Sequence, residues 1–248
     1  IVVAPSMNTL MLEHPATQAN LATLRGYGYR IVDPASGELA CGYEGAGRLP
    51  DPEDLVQEVA AALSPPDLRG RRVVVSAGPT CEPIDPVRHV TNRSSGRMGY
   101  AVAAAAWRRG AAVTLVSGPT SLPIPRGVEA VHVRTAGEMA TAMTTQSANA
   151  DVVVMVAAVA DYRPKNAAAG KIKKTEGELQ LQLERTEDVL ALLSRTKGRR
   201  ILVGFAAETS GVEAEARRKL EQKDAHLLVA NDVSRSDIGF AAEENEVH

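Results

Sequence analysis

Aromatic residues are scarce: one Trp, five Tyr and two Phe make up 3% of the 248 residues. So few rings leave little on which exposed bases could stack, which argues against a binder of single-stranded nucleic acid. Cysteine is scarcer still. Cys41 and Cys81 form neither a disulfide framework nor the CxxC or Cys/His spacing of a zinc site. Neither sign of charge dominates, since 28 Lys and Arg against 30 Asp and Glu leave a net charge of −2. Nothing global therefore draws the chain to nucleic acid or to an anionic membrane, and a polyanionic ligand must be met by a local basic cluster. The longest apolar run extends only from Val152 to Ala160, whereas a membrane-spanning helix needs about 20 residues. What is present, 44% hydrophobic and 23% charged residues, describes a globular protein with a core of Val, Leu and Ala. The expectation is a soluble, cytoplasmic protein.

The chain opens on Ile1-Val2-Val3-Ala4, a buried-strand pattern with no Met or charged leader before it, and closes on Glu246-Val247-His248, the start of another strand. It is expected to be a fragment. Helical spacing follows over His14 to Gly26, then a short strand from Tyr29 to Val32. Asp51-Pro52 reads as an N-cap and first helical residue leading into Leu55, Val56, Val59 and Leu63. Residues 64–70, Ser-Pro-Pro-Asp-Leu-Arg-Gly, form the best linker, so the chain is divided into 1–63 and 71–248. From Arg71 onward β-branched runs alternate with amphipathic stretches. Strands are expected at Val73–Ser76, Ala112–Ser117, Val128–Val133, Asp151–Ala157, Gln180–Glu184, Ile201–Phe205 and Leu227–Ala230. Helices are expected at Gly96–Arg109, Gly137–Ala148, Glu187–Arg195 and Val212–Lys223. This alternation predicts an α/β fold, a Rossmann-like parallel sheet with helices on both faces, preceded by a partial flavodoxin-like segment. In such sheets ligands bind beyond the carboxyl ends of the strands.

The connection after the first strand of the second domain runs from Ser76 to Gly99, far longer than the usual 2–6 residues. It ends in Ser94-Ser95-Gly96 opening a helix, with Arg88, Arg93 and Arg97 near it: a phosphate seat, or an N-capped helix with solvated arginines. Gly78 lies at the start of the same loop. No GxGxxG or GxxxxGK[ST] occurs, and no acid follows Ser117 to hold a ribose diol. Ala157 and Ala158 precede Asp161 at a strand end, small residues beside which a planar base could lie, with Asp161 holding Mg2+ or a ribose hydroxyl, or only capping a turn. Lys171-Ile172-Lys173-Lys174 is a flap over phosphates or a solvated face, and Lys219 and Lys223 share one helical face. Asn231 lines the site or makes a turn. The five histidines show no metal spacing. In the first segment Asn8 follows a strand and Cys41 lies in a glycine-rich flap, where a thiol is accessible and either acts as an acid or is an inert lone cysteine.

Together the runs SAGPTCEPIDPVRHVTNRSSGRMG (76–99), TLVSGPTSLP (114–123), AAVADYRP (157–164), KIKK (171–174), GFAAET (204–209) and ANDVS (230–234) resemble the bifunctional bacterial coenzyme A biosynthesis proteins, phosphopantothenoylcysteine decarboxylase/phosphopantothenate–cysteine ligase. The resemblance implies a CTP-dependent ligase joining 4′-phosphopantothenate to cysteine through an acyl-cytidylate, with Mg2+ assisting and a ligase-domain homo-oligomer. It implies that Asn92 holds the intermediate and that Lys171 is the first flap lysine. It further implies that Arg88, Asn92 and Asn231 meet substrate, and that Gly78, Ser94, Ser95, Gly96, Ala157, Ala158, Asp161, Lys171, Asp188, Phe205, Lys219 and Lys223 meet the nucleotide. Thr186-Glu187-Asp188-Val189 departs from the family's usual wording. Residues 1–63 are similar to the end of the family's FMN-dependent decarboxylase domain, with Asn8 and Cys41 at its catalytic positions, Cys41 as proton donor, and Ser6 in place of Ala. The half carrying most FMN contacts is not in this segment, so the expectation is a ligase that neither retains FMN nor decarboxylates. The competing classes are a nicotinamide-dependent oxidoreductase and a non-catalytic nucleotide-binding module on the same fold.

Overall fold

A computed structural model describes residues 1–174, 178–208, 211–232 and 247. By their contacts they fall into two units, Ile1–Asp67 with Arg108–Gly110, and Leu68–Trp107 with Ala111–His248.

In the first unit the elements are β1 (Val2–Val3), α1 (Thr9–Glu13), α2 (Pro15–Gly26), β2 (Arg30–Ile31), β3 (Ala35–Glu38), β4 (Glu44–Arg48) and α3 (Pro52–Leu63). β1 and β2 pair in parallel, and β3 and β4 form an antiparallel hairpin. Asn8 caps α1 by accepting from the Leu10 N–H at 2.9 Å, and His14 caps α2 ahead of Pro15, a residue that tolerates the first helical position because its missing N–H had no helical partner. Asp51 precedes Pro52 as expected but caps no N–H; its carboxylate pairs instead with Arg48 at 3.0 Å.

The second unit contains β5 (Arg72–Ala77), β6 (Cys81–Pro83), β7 (His89–Thr91), α4 (Arg97–Arg108), β8 (Ala112–Ser117), β9 (Val128–His132), α5 (Ala136–Ser147), β10 (Val152–Met155), β11 (Tyr162–Pro164), β12 (Leu183–Arg185), α6 (Val189–Arg195), β13 (Ile201–Glu208), α7 (Val212–Lys223) and β14 (Leu227–Asp232). Six strands form one parallel sheet in the order β14-β13-β10-β5-β8-β9. The period of two divides its strands between two cores. Val73, Val75, Val113 and Leu115 face Tyr100, Ala103 and Ala106 of α4, while Val74, Val116, Val153 and Leu202 face Met139 and Met143 of α5 and Val189 and Leu193 of α6. The fold is α/β with helices on both sheet faces.

One expected strand of the sheet is elsewhere. The run Gln180–Glu184 contributes only β12, which pairs antiparallel with β11 outside the six strands. Its alternation of Leu with polar residues lacks a continuous apolar run, and Leu179, Leu181 and Leu183 are all exposed. A central parallel strand is buried on both sides and needs a continuous apolar run. The long 76–99 connection is also not one loop, since β6 and β7 make an antiparallel hairpin within it.

Candidate functional site

The sheet order places β5 beside β10 where the connections turn in opposite directions, the usual position of a ligand crevice. Backbone bonds join the two strand ends there. Ala158 N–H donates to Gly78 O at 2.9 Å and Thr80 N–H to Ala158 O at 3.3 Å. Ser76 Oγ accepts from the N–H groups of Val156 and Ala157, and Thr80 Oγ1 from Ala160 N–H. Gly78 (φ +73°) and Gly96 (φ +79°) are needed for close packing: a Cβ on either would lie within 2.8 Å of Thr120 Cγ2. Tyr100 Oη fixes that threonine at 2.9 Å and Ser117 Oγ at 3.0 Å. Ser94 Oγ accepts from Gly96 N–H and Ser95 Oγ from Arg97 N–H, so local turns already satisfy two donors of the expected phosphate seat.

One strand over lies a cavity of about 590 Å3, at the carboxyl ends of β10 and β13, lined by Ala157, Asp161, Asp188, Phe205, Lys219 and Lys223 among the expected residues. Tyr162, Arg185 and Thr186 also line it; no sequence spacing marked them, because the β11–β12 pairing brings them there. Thr186 N–H donates to Asp161 O at 2.9 Å and ties the two strand ends together. Asp188 is engaged twice. Its Oδ1 caps α6 through Ala191 N–H, and its Oδ2 pairs with Lys223. Burial pushes its carboxyl pKa up, but the Lys223 hydrogen bond, the Ala191 N–H and the charges of Lys223 and Arg195 outweigh this and hold it below the ordinary value. Asp188 is thus a holder of Lys223. The site offers an apolar wall beside two lysines and an arginine, an arrangement suited to an organic phosphate.

Several expected residues lie outside this lining. Asn92 borders it, donating from Nδ2 to Val159 O at 3.0 Å, and Val159 lines the cavity. The Arg88 guanidinium donates to Ile172 O at 2.8 Å, and Lys171 is exposed. Ala158 is taken up in the β5–β10 stitching, and Asn231 pairs with Ala207 in β14. Thr209, Val233 and Ser234 of the quoted runs lie outside the described residues.

In the first unit Asn8 Nδ2 donates to Cys41 Sγ at 3.1 Å across 33 residues. Glycines make this contact. A Cβ on Gly47 (φ +132°) would meet Met7 O at 2.0 Å, so only glycine lets β4 lie against residues 6–9. Met7 N–H, Ser6 Oγ and Thr9 Oγ1 all donate to β4 carbonyls there. Cys41 is exposed, and the Tyr43 N–H and then the Asn8 amide hold its thiol below the ordinary value against a slight opposing effect of burial. Cys81, by contrast, is buried.

The model of the DNA/pantothenate metabolism flavoprotein C-terminal domain matches residues 68–248, and the Flavoprotein model matches residues 1–64. The coenzyme A biosynthesis bifunctional protein CoaBC of Bacillus subtilis is 47% identical over 250 residues, 99% of this chain and 61% of that protein. The chain belongs to the CoaBC family. Another relative, a cysteine/cysteine sulfinic acid decarboxylase of an unknown prokaryotic organism, is 43% identical over 100% of this chain and 71% of its own length. Among solved structures, the C-terminal domain of a CoaBC protein matches with a TM-score of 0.60 and 45% identity, covering 73% of this chain and 86% of that one. CoaBC proteins are multifunctional enzymes of coenzyme A biosynthesis with a flavoprotein part. These findings correct the expected function. CTP-dependent ligation is not shown as this chain's role, and the Flavoprotein match over residues 1–64 fits the decarboxylase part of the family. Among the described residues no helix is long and apolar enough to cross a membrane.

Proposed function

We propose that the chain serves coenzyme A biosynthesis through the decarboxylase chemistry of its first unit, while the second unit binds a phosphorylated small molecule. The observation that carries this is the Asn8–Cys41 contact within the segment that matches the Flavoprotein model. FMN fits the residues present: an exposed thiol and a primary amide lie among exposed Leu10, Met11 and Tyr43, apolar and polar edges that suit a planar heterocycle. When bound, FMN supplies a two-electron oxidation and its reversal. The chain's own groups handle the proton. Asn8 orients the Cys41 sulfur, and Cys41, a thiol whose pKa is held below its ordinary value by the Tyr43 N–H and the Asn8 amide, gives its proton to the carbon that lost CO2. The substrate proposed is 4′-phosphopantothenoylcysteine; the relative named for cysteine and cysteine sulfinic acid supports a cysteine-derived carboxylate.

In the second unit the proposed ligand is CTP. Lys219, Lys223 and Arg185 would meet its phosphates, and Phe205 and Ala157 its base. Mg2+ would join through Asp161 and the phosphates, since this ion commonly takes one or two carboxylates and keeps several waters; no group of three candidate ligands occurs among the described residues. Division of the chain at residues 64–70, a cytoplasmic location and a homo-oligomer belong to the same proposal, the last supported by exposed Leu179, Leu181 and Leu183.

The test supplies the chain with FMN and 4′-phosphopantothenoylcysteine and measures CO2. Release is expected, with Cys41→Ser still releasing CO2 but failing to form the reprotonated thiol. No CO2 from the wild-type chain would overturn the reading.

A further inference from the structure

The turn joining β6 to β7 holds a carboxylate with almost no exposure: Asp85 is 3% accessible. Oδ1 of Asp85 accepts from the N–H groups of Val87 and Arg88, both at 2.8 Å. Its Oδ2 accepts from the N–H of Ile172 at 3.1 Å, 87 residues along the chain. Arg88 Nη2 then donates to the carbonyl oxygen of the same Ile172 at 2.8 Å. Two side chains of one turn thus take both polar groups of one backbone residue, as a neighbouring strand would. A third bond, Ala168 N–H to Ile84 O at 2.9 Å, fixes the approach to this segment. Ile172 is half-buried, and Lys171 and Lys173 on either side of it are exposed.

The other end of the hairpin is tied to the cavity rim. Asn92, just past β7, donates to Val159 O at 3.0 Å, and Thr80, just before β6, accepts from Ala160 N–H at 2.9 Å. Val159 and Ala160 both line the cavity. The β6–β7 hairpin therefore bridges the cavity rim and the lysine segment. Bonds to charged groups are stronger than neutral ones, so the clasp is well suited to fixing a short segment that belongs to no strand.

We propose that Asp85 and Arg88 are positioning residues that hold Lys171 and Lys173 in place as a cationic arm for the phosphorylated ligand of the second unit. The proposal rests on the reading that this unit binds such a ligand, with CTP as the probe.

The experiment has two readouts on the full chain. The first is the rate of limited tryptic cleavage after Lys171 and Lys173, resolved by mass spectrometry. Asp85→Asn is expected to speed it about tenfold or more, with cleavage elsewhere unchanged. Arg88→Met, which removes the guanidinium bond to the Ile172 carbonyl, should reproduce the effect if Asp85→Asn folds poorly. The second readout is CTP affinity. Asp85→Asn should weaken it about tenfold, and should add nothing in a Lys171→Gln/Lys173→Gln background, an epistasis that general destabilisation would not produce. Unchanged cleavage in both clasp variants would overturn the clasp. Faster cleavage with unchanged CTP affinity, or additive losses in the lysine background, would overturn the positioning role. A wild-type chain that bound no CTP would overturn that role together with the parent reading, while the cleavage rates would still decide the clasp.

Discussion

The two candidate sites are built by opposite means. In the first unit, Cys41 and Asn8 meet because a glycine-rich hairpin lies flat against a short segment, and little of the surrounding unit is buried. Leu10, Met11, Val56 and Leu63 are all exposed. In the second unit the cavity stands on a sheet whose cores exclude water from both faces, with Leu115, Met139 and Met143 fully buried. A site made by turns and close backbone approach needs the right glycines; a site made by strand ends needs the whole sheet.

Core truncation should separate the two most strongly. Leu115→Ala is expected to lower stability by about 2–5 kcal/mol in urea unfolding, whereas Leu63→Ala should stay within about 0.5 kcal/mol. Similar losses for both would erase the distinction. Next in size is the hairpin: Gly47→Ala, which forces a Cβ onto Met7 O at 2.0 Å, should cost about 1–3 kcal/mol. Iodoacetamide titration should show its Cys41 reacting like an ordinary thiol, and a wild-type profile would mean that the hairpin does not depend on that approach.

Smaller effects sharpen the comparison. Lys223→Ala should weaken CTP binding about tenfold, roughly 1.4 kcal/mol, and the loss should shrink at high salt. Calorimetry at two salt concentrations checks this. Asp188→Asn should show part of the same loss, because Asp188 acts by holding Lys223. The smallest effect concerns pH. Since Cys41 is held below its ordinary value, its thiolate should form, and alkylation accelerate, at lower pH than in a free cysteine. Asn8→Ala should move that midpoint upward. The Asp85 carboxyl follows the same sense. Burial raises its pKa, yet the Val87, Ile172 and Arg88 N–H groups and the Arg88 charge hold it below the ordinary value. Protection of the Ile172 amide from hydrogen exchange should therefore persist as pH falls through the usual carboxylate range, and be lost only below it, at the folded-state pKa.

Periodicity and composition alone determined much of this protein. Continuous Val-rich runs can bury both faces only in a covered parallel sheet, so β5, β8, β10 and β13 were legible. The small residues and acid after β10, Ala157 and Asp161, were legible as lining of a strand-end cavity, while Phe205 was singled out only through resemblance. The pairing of Asn8 with Cys41 was legible only through resemblance. Tertiary structure decided what depends on distant partners. It put the alternating run around Leu183 in a separate hairpin and joined the ends of β5 and β10 with backbone bonds. It formed a cavity at the carboxyl ends of β10 and β13 and made Asp188 a holder of Lys223, 35 residues away. It also turned Arg88 toward the backbone of Ile172. The physical reason is the same in each case. A residue's own sequence sets its local backbone preference and its tendency to be buried, but a hydrogen-bonding group is committed only when the whole fold presents its partner.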